Sequence, residues 1–442
     1  MSTRKKPQPR PTVKLRLEQL EDRSVPTTFS GAGDGSWTDP NDWVGGKVPT
    51  DSDPAFFVAT NNVACYIPAG ISVACSGLSI ASGYTKTITL DSSPGPVHLN
   101  ATLTVSGLAA LDGGTIDQQS AGCTVTLGGG TWDGTKLNST TTLSDIYLNG
   151  NLTVKGGATT LGSNLYVQNL STVDWQATTN DVTVNNAAII SVNAGSTLSF
   201  SGDSSTGLST TIKAANGSSY LDNYGLVQRT STSLNDEVFG MPMKVESGGR
   251  LWLQDRCNLE IDGSNASTSN VSLYQVGGTT DLDDLSYLTL GKGAYATAGY
   301  FESLGLDATV DLVNAGTQLK ISGTARLLVC AGNNTTYGTF SVIGSGDVNL
   351  DGGTFVVYGK VGTGYDKLIC FNNIMINSAV GGCTLCVYTT GAPVAGDGTD
   401  WRILEAGTGK SITGDFNPAN FNWNGGYNWN HKNNTTTYDL TP

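Results

Sequence analysis

A short phrase returns along most of this chain: a few alternating aliphatic and hydroxyl residues, then a turn built on glycine or asparagine. Ala101-Thr102-Leu103-Thr104-Val105, Cys123-Thr124-Val125-Thr126-Leu127, Asn151-Leu152-Thr153-Val154 and Asp181-Val182-Thr183-Val184 each carry an aliphatic residue at every second position. That period places one side of each segment in a core and leaves threonine on the other, as in a half-buried strand. The turns repeat as well. Asp112-Gly113-Gly114-Thr115 returns as Asp351-Gly352-Gly353-Thr354, and Asn193-Ala194-Gly195-Ser196-Thr197-Leu198 is echoed by Asn314-Ala315-Gly316-Thr317-Gln318-Leu319. The Gly-Gly pairs at 113 and 129 and the Asn-Gly at 149 fall roughly 15–25 residues apart, the length of one solenoid coil, and a further Gly-Gly follows at 156. A single coil has too little apolar surface to fold alone, but stacked coils share a continuous core. The chain is therefore expected to be all-β, a right-handed parallel β-helix (β-solenoid) of about 15 coils and about 70 Å. An antiparallel β-sandwich array with hairpins at the same glycines is the structural rival.

Composition agrees with a stacked array. Glycine supplies 57 of 442 residues and charged side chains only 14%, whereas a disordered chain would be richer in charge. Apolar residues at helical spacing occur convincingly only between Leu15 and Asp22. The net charge of −13 is unevenly spread. Residues 1–23 hold seven basic and three acidic groups, leaving 17 basic and 34 acidic ones for the body. Such a body repels nucleic acid and anionic membranes and points instead to neutral glycans or divalent cations, calcium among them. No stretch approaches the ~18 apolar residues of a membrane span.

The chain reads as four parts: a basic leader (1–26), an N-terminal cap (27–60), solenoid coils (61–362), and C-terminal coils ending in an aromatic-rich cap (363–442). The leader lacks the apolar core of a standard secretory signal. Its segment Leu15-Arg16-Leu17-Glu18-Gln19-Leu20-Glu21-Asp22-Arg23-Ser24-Val25-Pro26 resembles the RLxxLExRxVP leader of large exported planctomycete proteins. That resemblance implies export and an extracellular or cell-surface location, not an activity. Gly35-Ser36-Trp37-Thr38-Asp39-Pro40-Asn41-Asp42-Trp43, followed by Val48-Pro49 and Ala55-Phe56-Phe57, resembles the opening of secreted β-helix and autotransporter-passenger-like proteins. Tyr365-Asp366-Lys367-Leu368, then Trp401-Arg402-Ile403-Leu404 and Gly414-Asp415-Phe416, resembles their closing region. The architecture so implied hosts adhesins, enzymes and inert stalks alike.

Sites are sparse. His98 and His431 stand far apart and are expected at the surface, which leaves no Ser-His-Asp or Cys-His constellation. Asp281, Asp283 and Asp284 form the densest acidic group. It reads as a solvated turn, with a calcium site or a catalytic carboxyl pair as the alternatives. On a strand, Asp281 and Asp283 would share a face. The eight cysteines match no zinc spacing. Cys383 and Cys386 in a strand face opposite sides, which argues against a redox pair. Export would permit Cys65–Cys75 or Cys370–Cys383 bridges, and burial as small apolar residues is equally consistent. In the tail, Trp423, Tyr427 and Trp429 alternate with asparagines, a composition suited either to a sealing cap or to glycan contact. Taken together these features describe a non-enzymatic exported rod, an adhesin, stalk or envelope component. The alternatives are a β-helix polysaccharide hydrolase or lyase, and a glycan-binding module addressing envelope or extracellular polysaccharide.

Overall fold

Every second residue of the repeated phrase points inward, and the stacking of those inward residues defines the architecture. In the computed structural model the described residues are 27–91, 100–140, 143–155, 159–176, 182–185, 187–202, 211–215, 218–230, 237–261, 271–304, 307–329, 337–360, 364–377, 382–390, 400–416, 421–424 and 430–441. They form 47 strands, most of three or four residues, and two 3₁₀ turns at Pro40–Asp42 and Ala59–Asn61. The strands fall into three long sheets of 17, 14 and 16 members, paired almost throughout in parallel and in register. The protein is a parallel β-helix, and each coil contributes one strand to each sheet. Among the described residues no helix is long and apolar enough to cross a membrane.

In-register pairing turns the sequence pattern into continuous files. Along the 14-stranded sheet the inward file runs Val73, Leu103, Val125, Ile146, Leu165, Ile190, Leu221, Met243, Leu273, Ala294, Leu319, Val348, Ile374, Ile412. Every member is aliphatic or Met, and the core is one connected cluster from Phe29 to Leu440. Fourteen rungs correspond to a stack of about 60 Å. Cysteines 65, 75, 123, 257, 370, 383 and 386 are buried and outside any disulfide, so neither the Cys65–Cys75 nor the Cys370–Cys383 bridge is formed. Cys383 is in the core, while Cys386 joins a small cluster with Leu328 and Val356 on the opposite side of the sheet.

The ends differ from the middle. Thr27–Thr28 and Pro54–Phe57 already belong to the 17-stranded sheet, so the ladder begins inside the N-terminal cap. There Phe29, Trp37, Trp43, Phe57 and Tyr84 pack ring on ring, with centroids 5.0 to 6.0 Å apart. At the other end the pairing changes direction: Thr437–Thr441 runs antiparallel to Trp401–Ala406 and to Asn430–Asn433. This hairpin ends the parallel ladder of one sheet and leaves the polar strand Asn430–Asn433 outermost, a composition that blunts an edge.

Candidate functional site

Of the acidic residues marked by the sequence, Asp281 is the informative one. It lies on the strand Thr279–Leu282, on the outer side of the 17-stranded sheet, yet is 2% exposed. The outer file through it runs Gln228, Trp252, Asp281, Glu302, Leu328, Val356, Cys386. Register thus sets two carboxyls one rung apart, where outward side chains are about 5 Å from each other. Arg250, two residues before Trp252 on its strand, forms an ion pair with Asp281 and lays its guanidinium over the Trp252 ring at 4.5 Å. Asp283 follows the strand and accepts the Trp252 indole N–H at 2.9 Å. Asp284 accepts the Asp307 amide at 3.2 Å. A shallow recess of about 250 Å³ beside them is lined by Thr230, Trp252, Gln254, Asp255 and Asp283.

Asp281 is therefore not part of a solvated turn. The strand ends at Leu282, so Asp283 is not its strand partner; the carboxyl it meets is that of Glu302. The three aspartates are each directed to a different donor and do not converge on one point. Glu302 has no acidic neighbour in sequence that would mark it, and only the number of residues per coil brings it to Asp281.

The electrostatics follow from burial. Above Glu302 the outer face turns apolar, with Leu328, Val356 and Cys386 buried and Leu304, Tyr358 and Tyr388 packed against them. Desolvation is the main cause that raises the Glu302 carboxyl from 4.5 to about 8. Its hydrogen bond and like-charge contact with Asp281 push the same way, while Arg250 opposes them. Asp283 is also raised by burial, with the Trp252 hydrogen bond acting against that shift. Asp281 Oδ1 is sealed from solvent and receives no N–H or hydroxyl among the described residues. A carboxyl that keeps its proton near neutral pH can donate to such an oxygen, and register sets Glu302 one rung from Asp281. Burial favours a proton on Glu302, but the pair sits on a sheet face rather than in a cleft, and its buried member is engaged by a guanidinium.

The remaining residues marked by the sequence are dispersed. Trp423 lies on Phe421–Asn424, the end strand of the long sheet, with its backbone opposite Val387. Tyr427, Trp429, His98 and residues 1–26 lie outside the described residues. His431 is half-buried, stacked on Tyr438 at 5.9 Å and 3.5 Å from the Asp415 carboxylate. Sequence reasoning passed over Asp34, Asp39 and Asp42, which bring carboxylate oxygens within 4.8 Å of one another in the N-terminal cap. These oxygens are used by the turn. Asp42 accepts the Gly33 and Gly35 amides at 2.6 and 2.8 Å, Asp39 the Asn41 amide, and Asp34 the Ser36 amide. No protein-family model and no curated protein matches the sequence.

Proposed function

We propose that this protein is a non-enzymatic rod exported to the cell surface or extracellular matrix, where it serves as a stalk, adhesin or envelope component. One observation carries the reading: a single core file passes through fourteen consecutive rungs without a break. A stack of this kind provides length and rigidity without needing a chemical centre. The leader resemblance supports export, and the acidic body favours an uncharged polysaccharide over nucleic acid as the surface it meets.

The test is small-angle scattering of the purified protein, followed by incubation with a panel of insoluble and gel-embedded polysaccharides. The expected result is a particle with one dimension of at least about 60 Å and a narrow cross-section, with no sugars released from any polysaccharide. Retention that is lost on Trp423→Ala would identify a glycan-directed adhesin. Release of sugars that is abolished by Glu302→Gln would overturn the non-enzymatic reading in favour of hydrolysis by the carboxyl pair.

A further inference from the structure

The Asp281–Glu302 pair is unusual within its own file. Elsewhere along this file the rung neighbours include Thr131–Thr153, Ser199–Gln228 and Leu328–Val356, and the acid Asp174 stands between two hydroxyl residues, Thr153 and Ser199, so no other two acids stack there. Here two acids are stacked with one nearly sealed. The only cation paired with Asp281 among the described residues, Arg250, comes from the rung on the side away from Glu302. The titratable and charged groups facing Glu302 are few. Asp281, Arg250 and Asp283 lie below it, and Tyr358 is two rungs above. Arg326 lies over Tyr300 at 5.6 Å in the adjoining file. Leu328 occupies the next rung of the same file, so no base waits there to take up a second charge.

We propose that the Asp281–Glu302 pair is a proton-operated joint in the outer layer of the rod. While Glu302 carries its proton, its O–H donates to Asp281 and ties the two coils across the sheet face. When the proton passes to water from Glu302, the more exposed member, two like charges face each other one rung apart and this stretch of sheet loosens. The inward file beneath, Leu253, Leu282 and Ser303, keeps its packing, so the response is local.

The sign follows from linkage. A carboxyl raised above its unfolded value adds stability that is complete at acid pH and is lost as pH climbs through the folded value. The experiment is hydrogen exchange of the full chain, read by mass spectrometry at about pH 5 and about pH 9 and corrected for intrinsic rates. Amides of 279–282 and 300–303 should lose about tenfold or more in protection at the higher pH, while 102–105 and 124–127 stay unchanged. Glu302→Gln keeps a donor toward Asp281 and removes the titration, so its protection should be equal at both pH values. Equal protection in the unsubstituted protein overturns the proposal, as does an undiminished pH dependence in Glu302→Gln. The unsubstituted protein also gives a second readout, independent of whether the variant folds. Its infrared spectrum should keep the carbonyl band of a protonated carboxyl above neutral pH, and absence of that band overturns the joint.

Discussion

Gln275 is 1% exposed inside a coil corner, and its amide is fully engaged there. Nε2 donates to the carbonyls of Ala298 and Tyr300 at 3.2 and 2.9 Å, and Oε1 accepts the Thr280 hydroxyl at 2.8 Å. Gln118 does the same work in an earlier corner, donating to Cys123 and Asp145 carbonyls and accepting from Ser163. Arg229 goes further. It replaces an aliphatic residue in the inward file between Phe200 and Leu253, and its Nη1 donates to the carbonyls of Phe200 and Gly202. Such groups persist in a core only because each is paired where the backbone turns. Gln275→Leu is expected to lower stability by about 2 kcal/mol, since it strands two carbonyls and a hydroxyl. Adding Thr280→Val should recover part of the loss, with both changes read as shifts in the urea midpoint. The acid pair belongs to this scale too, and it explains what the sequence could not disclose. Asp281 was visible as one of a group of three, but Glu302 becomes its partner only through the register of two coils.

At the level of strands and turns, the alternating phrases were legible because one physical rule governs them. Thr102–Val105, Thr124–Leu127, Leu152–Val154 and Val182–Val184 are all strands with their aliphatic residues inward. The closing hairpin of Asn430–Asn433 and Thr437–Thr441 was not, because Asn-His-Lys-Asn has no apolar alternation to announce a strand. The turns separate two uses of glycine. Gly130 has φ +127°, and an added Cβ would fall 1.9 Å from the Ala109 carbonyl oxygen of the coil below. Gly316 has φ +81° with no atom within 4 Å of that Cβ. Gly316→Ala should therefore cost only the left-handed backbone, about 1 kcal/mol. Gly130→Ala should cost several times as much, because backbone must move against backbone. Parallel thermal unfolding of the two variants reads the difference, and equal losses would mean that the coils at Gly130 have room to spread.

The molecule as a whole is a stack whose stability is a sum of coils and of the interfaces between them, and whose ends need separate protection. At the N-terminal end that protection is aromatic. Trp43 is 2% exposed, donates its indole N–H to the Trp37 carbonyl at 2.7 Å and packs against Phe29 and Phe57. Trp43→Ala should remove about 3–5 kcal/mol from the cap, and uncovered strand edges then associate. Sedimentation velocity at rising concentration should show the variant forming larger species while the parent stays monodisperse; a monodisperse variant would mean that other groups seal this end.

In-register stacking also makes the chain a linear scale. From Phe57, the inward file passes through Ile80, Leu111, Trp132, Val154, Trp175, Phe200, Arg229 and Leu253 to Leu282. Those nine steps set the cap about 43 Å from the acid pair. Whole coils inserted between them would move one landmark away from the other by a fixed increment, without changing the surroundings of either. Distance along this protein is therefore a quantity that heredity can adjust by counting, independently of everything else the fold has to satisfy.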